Sequence, residues 1–251
     1  MSFYDLNKEE RKKVVNQIYD ELLDDLRSST TNKHLVYFSD EDTYIRKTAY
    51  LAVGKLYKQE EQDKIRKNLE VFLGHTNEKV RQTTINAAGE IGKTDFDKVV
   101  SFFDKGLLDE HHSVRNAVIG SLKKMVEKNP EPVLQWVKPY LHHRDAEIRR
   151  EVCHGIELRG RTHPQDVLPL LKELQFEQNN RVKKTLIHVL GQISYKQNCL
   201  NIVVQELNSW ENKELIKQAV LEIIDVHRRY AKFSSLTQAQ AIDYIDKNLK
   251  K

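Results

Sequence analysis

The chain has 251 residues, of which 31% are charged and 39% hydrophobic, with a formal net charge of +4. No apolar run reaches the roughly 20 residues of a membrane helix, and two cysteines are too few for a disulfide framework. The opening segment MSFYDLNKEERKK lacks the apolar core of a secretory signal, so a reducing, cytoplasmic setting is expected.

The first predicted element is a helix. Asn7 with Glu10 three residues on has the form of a capping box. Val14, Val15, Ile18, Leu22, Leu23 and Leu26 then follow helical spacing, so the helix should run to about Leu26. Residues 28–33 are polar and read as a loop. From there an aliphatic residue followed by a cation recurs: Ile45-Arg46, Val80-Arg81, Val114-Arg115, Ile148-Arg149, Val182-Lys183 and Ile216-Lys217. The first step is 35 residues and the other four are 34, the mark of stacked helical repeats.

Each repeat reads as a first helix, a polar turn, and a second helix that begins near the aliphatic–cation pair. The fourth second helix, for example, reads RREVCHGIELRG. Pro130, Pro132 and Pro164 fall where the first helices of repeats four and five should begin, a first-turn position that suits proline. Thr237 with Gln240 opens a last helix, whose polar outer face would cap the stack. The expected architecture is an all-α, right-handed α-solenoid spanning 1–251 as one domain. It would comprise an N-terminal helix and loop (1–33), six repeats (34–230) and a capping helix (231–251).

Alignment on the cation exposes the columns that pack. Three and four places on lie Ala49/Tyr50, Thr84/Ile85, Val118/Ile119, Val152/Cys153, Leu186/Ile187 and Val220/Leu221. Seven on lie Val53, Ala88, Leu122, Ile156, Leu190 and Ile224, completing one apolar stripe per helix. Small residues at Ala52, Ala87, Ser121 and Gly155 would let neighbouring helices come close.

Six residues before each cation stand Asp40, His75, Asp109, His143, Glu177 and Glu211. This spacing, with the aliphatic–cation pair, resembles the HEAT repeat. The resemblance implies that the column acids and the cations form a ladder of ion pairs between units, which takes those cations away from any partner.

A second set of columns, one, five and nine places beyond the cation, shares a face away from the apolar stripe. The first reads Lys47, Gln82, Asn116, Arg150, Lys184 and Gln218, and the second Leu51, Asn86, Gly120, His154, His188 and Glu222. The third reads Lys55, Glu90, Lys124, Leu158, Gln192 and Val226. Arg159 and Arg161 add charge at the edge. In a HEAT-type stack the second helices line the concave side.

Residues 129–193 carry a narrower likeness. Ile148-Arg149-Arg150, Gly155, Arg159 and Arg161, Val167-Leu168-Pro169-Leu170-Leu171 and Val182-Lys183-Lys184 resemble a pattern of the HEAT-like alkylpurine DNA glycosylase and DNA alkylation repair proteins. The resemblance implies a face that grips duplex DNA and presents a cationic alkylated purine to an acid. Two acids of that pattern are replaced here, by His154 and Gln192, and tryptophan is found only at 136 and 210. DNA binding with weak or no excision is therefore expected, through Arg150, Lys184, Arg159, Arg161, Asn116, His154, His188 and Gln192. Of Glu151, Glu157 and Glu222, only Glu222 lies in a column of this face, which makes it the candidate for catalysis. The alternative is a protein scaffold holding a peptide or domain, to which the acids Glu90 and Glu222 would contribute.

No cofactor or metal is expected. His154 and His188, in one column of successive repeats, should stand about 10 Å apart, too far to share an ion. The turn histidines His111, His142 and His143 read as capping or ladder groups, although His111 beside the 142–143 turn leaves a metal conceivable there. Cys153, on the buried stripe, reads as core. No phosphate loop or hydrolase motif is present.

Overall fold

The computed structural model describes residues 3–250; Met1, Ser2 and Lys251 lie outside them. All regular structure among the described residues is helical. The chain divides into two compact units, Met1–Asn129 and Pro130–Lys251.

In the first unit, α1 (Lys8–Arg27) begins with the expected capping box, in which Asn7 and Glu10 exchange side-chain and backbone hydrogen bonds. It buries Ile18, Leu22 and Leu26. The loop is shorter than the sequence suggests, because α2 (Asn32–Ser39) starts inside it. The cause is Asp25, a buried carboxylate that receives the hydroxyl of Thr30, the backbone N–H groups of Lys33 and His34, and the His34 ring. It thereby satisfies donors that a helix start leaves open. The unit continues through α3 (Thr43–Leu56), α4 (Gln62–Leu73), α5 (Glu78–Asp95), α6 (Val100–Leu107) and α7 (His112–Lys128). The second helices stack in order, α5 between α3 and α7, and α2, α4 and α6 each pack against the second helix of their own repeat.

The second unit is built alike, from α8 (Pro130–Tyr140), α9 (Ala146–Gly155), α10 (Glu157–Gly160), α11 (Pro164–Lys172), α12 (Asn180–Ser194), α13 (Leu200–Leu207), α14 (Lys213–Arg229) and α15 (Gln238–Asn248). Here α12 packs against both α9 and α14. Pro130 and Pro164 open their helices, and Thr237 and Gln240 form the capping box of α15. Each unit is thus a short α-solenoid.

Capping residues four places before the first five ladder cations, and five places before Lys217, set where the second helices start. Asp42, Asn77, His111, Asp145, Asn179 and Asn212 each accept a backbone N–H of the following helix turn through the side chain. Through five repeats the stripe is buried three and seven places beyond the cation, from Ala49 and Val53 to Leu186 and Leu190, whereas Tyr50, Ile119 and Ile187, four places beyond, are half-buried. In α14 the expectation fails. Leu221 is 67% exposed, while Leu215, Ile216, Ala219, Ile223 and Val226 are buried instead. Val220 and Leu221 line an apolar trough together with Leu249.

The fourth second helix also departs from its expected form. It breaks after Gly155, where the Ile156 N–H turns back to the His154 carbonyl, and resumes as the single turn α10. Gly160 in that turn meets α12 so closely that a Cβ there would lie 2.4 Å from Ile193 Cδ1.

Candidate functional site

The four arginines of the ladder are held inside the chain. Arg81 donates from Nε and Nη2 to the two carboxylate oxygens of Asp109 (2.8 and 3.0 Å) and from Nη1 to the carbonyls of His75 and Thr76. Arg149 repeats the arrangement on Glu177 (2.6 and 2.9 Å) and on the carbonyls of His143 and Arg144. The acid in each case belongs to the next repeat. Arg46 and Arg115 hold the carbonyls of the preceding turn in the same way, but the next residue of their acid column is a histidine. Lys183 and Lys217, lysines at the column's last two places, form no such forked pair among the described residues. Burial opposes the charge of Asp109, yet the Arg81 hydrogen bonds and the His111 N–H outweigh it and hold its carboxyl below the ordinary range. The Arg149 hydrogen bonds, against burial, do the same for Glu177.

The turn histidines act as caps. His75 Nδ1 accepts the Asn77 N–H, His143 Nδ1 the Asp145 N–H, and His111 the Ser113 N–H. His142 lies 2.6 Å from the Glu173 carboxylate.

The residues named for DNA contact fall into two groups. Lys184 and Asn116 are exposed, and Lys184 has no ion pair among the described residues. The arginines are engaged: Arg159 on Asp166 (2.6 Å), Arg161 on Glu157, and Arg150 on Glu147 (2.7 Å). Arg181, which the column alignment passes over, also reaches Glu147, at 3.0 Å, from a side chain that is 72% exposed. One carboxylate is therefore shared by two guanidinium groups, with Lys184 one helical turn beyond Arg181. The acids that favoured a peptide partner are occupied. Glu90 is paired with Lys93 and lies 3.7 Å from Lys124, and Glu222 accepts from Arg229 (2.6 Å). Gln192 and Val226, expected on the open face, are buried.

A cluster that the columns did not reveal lies on α9, α10 and α12. Glu157 is buried; one oxygen takes the Arg161 guanidinium, and the other lies 3.1 Å from His154 Nε2 and 3.8 Å from His188 Nε2. Arg161 also donates to Gln192 Oε1 at 2.7 Å, and the buried Gln192 Nε2 has no hydrogen-bond partner among the described residues. The rings of His154 and His188 stand 6.0 Å apart edge to face, not the 10 Å read from the repeat spacing, because both side chains lean toward Glu157. Burial lowers the proton affinity of His188, and the carboxylates of Glu157 and Glu222 only partly offset it. The spacing of His154, Glu157 and Arg161, three and four residues apart, is a sequence signal for mutual contact on a helix. Cys153 is fully buried, which pushes its thiol far up, so it is core and not a nucleophile.

Comparison with known proteins agrees with this architecture. Residues 65–153 match the HEAT repeats family. No curated protein matches the sequence. Among solved structures, the chain is similar to AlkD2 from Streptococcus mutans, at 17% identity and a TM-score of 0.56, over 84% of this chain and 100% of that one. It is also similar to smu.31 from Streptococcus mutans UA159, at 18% identity and a TM-score of 0.54, over 70% of this chain and 92% of that one. At these identities the likeness is one of fold. No helix among the described residues is long and apolar enough to cross a membrane.

Proposed function

We propose that the second-helix face of the Pro130–Lys251 unit binds the phosphate backbone of duplex DNA without excising bases, in a cytoplasmic protein. The observation that carries this reading is the patch around Glu147: Arg150, which also lies 3.8 Å from the buried Glu151, and Arg181 meet on the Glu147 carboxylate, and exposed Lys184 leaves three cations to two acids. An excess of positive charge held on rigid helices suits phosphate contacts, which position a protein without reading sequence. The pattern across residues 148–184, resembling alkylation-repair proteins, and the fold likeness to AlkD2 support the same reading.

Base excision is not expected, because the carboxylates of this face are answered by cations. Glu157 faces Arg161, and Glu222 faces Arg229. The peptide-scaffold alternative loses its main support for the same reason. The test is a gel shift with a duplex of arbitrary sequence at low salt, comparing the wild type with a Lys184→Glu/Arg181→Glu variant. Binding should weaken at least tenfold in the variant, and similarly for unrelated sequences. An unchanged shift would remove the patch from the interface.

A further inference from the structure

The structure assigns a site for one divalent transition-metal ion to His154, Glu157 and His188. Each of the three offers a ligand atom, and these atoms all lie within 4.8 Å of one another. In a tetrahedral zinc site, with ligands about 2.0–2.1 Å from the ion, donor atoms stand roughly 3.3 Å apart. The distances from the Glu157 oxygen to the two imidazoles, 3.1 and 3.8 Å, bracket that value. Closing the widest gap takes a movement of under about 1.5 Å, shared between two imidazoles. Both are part-exposed, at 33% and 44%, so they have room to move and the ion has a path from solvent.

The surroundings orient the ligands as an outer shell does. The oxygen of Glu157 turned away from the histidines is held by Arg161, which is itself braced by Gln192, so the other oxygen is the one presented. His188 directs Nδ1 toward the Glu222 carboxylate at 3.9 Å and Nε2 toward Glu157. At 3.9 Å this contact is beyond hydrogen-bond range, so the carboxylate–histidine–metal order is completed only when His188 shifts toward Glu222 on binding the ion. Among the described residues, Arg161 pairs with the ligand Glu157 through the oxygen not offered to the ion, and Arg229 pairs with Glu222. Two imidazoles and one carboxylate suit Zn2+, and three protein ligands leave a fourth position for water. The site uses none of the patch cations Arg150, Arg181 and Lys184, although His154 and His188 lie one helical turn from Arg150 and Lys184 on the same face, and it does not depend on DNA binding.

The test uses the full chain, stripped by chelator and titrated with ZnCl2 by calorimetry, with Co2+ absorption as the coordination readout. The wild type should bind one ion per chain and show the visible bands of a tetrahedral site. His154→Ala and His188→Ala should each weaken binding by more than about 100-fold, and Glu222→Gln by about tenfold. A His142→Ala control should bind as the wild type does. Circular dichroism of the variants separates lost ligation from lost folding. Absence of binding to the wild type would overturn the proposal, as would binding that survives in a folded His154→Ala/His188→Ala double variant.

Discussion

Arginines that look alike in the repeat do different work. Arg81 and Asp109 are each 10% exposed and joined by two hydrogen bonds, so Arg81→Ala should cost about 2–3 kcal/mol of stability in urea unfolding. Arg46 holds the carbonyls of Asp40 and Glu41, and Arg46→Ala should cost about 1 kcal/mol. Equal losses would show that the carboxylate adds nothing. The pair also fixes a pH dependence. Because the Asp109 carboxyl is depressed in the folded state, its contribution is complete above the ordinary carboxylate value of about 4 and is lost as pH falls through the folded value. The cost of Arg81→Ala should therefore shrink between pH 7 and the acid limb, and a constant cost would contradict the assignment. Excision belongs to this scale too. Release of 7-methylguanine and 3-methyladenine from alkylated DNA should stay at background, with Glu222→Gln no different, since neither Glu157 nor Glu222 offers an uncompensated charge. The ladder was legible because an aliphatic–cation pair recurs at fixed spacing. The histidine–glutamate cluster was not, because reading by columns compares equivalent positions across repeats and passes over contacts three and four residues apart within one.

Helix pairs are set by small residues. A Cβ on Gly89 would lie 2.4 Å from the Ser121 hydroxyl oxygen across the α5–α7 contact, whereas one on Gly120 would meet nothing within 4 Å. Gly89→Ala should therefore destabilise by about 1–3 kcal/mol through overpacking. Gly120→Ala, mid-helix and exposed, should stabilise by roughly 0.5–1 kcal/mol. Melting temperatures of the two variants check this pair, and a shift in the same direction for both would refute the packing argument. The small residues Ala52, Ala87, Ser121 and Gly155 were legible as close-approach positions, and all four are buried. Two features of the elements escaped the sequence. The break after Gly155 depends on the packing of α10 against α12, and the exposure of Leu221 depends on which element follows α14. Both are tertiary facts that a period cannot encode.

At the scale of the whole molecule, a net charge of +4 is modest, and its placement matters more than its size. In the Pro130–Lys251 unit the column acid Glu222 is held by Arg229, while the cations around Glu147 outnumber it. The central claim is that DNA is held through these charges, and its most direct test is the salt dependence of wild-type binding. Fluorescence anisotropy with two duplexes of unrelated sequence, read from about 50 to 200 mM salt, gives log Kd against log[salt]. The two duplexes should bind with equal affinity and give a slope of roughly two to three, about 0.9 for each phosphate neutralised. Lys184→Glu should flatten that slope by about one. A slope near zero, or no binding at the lowest salt, would contradict that claim.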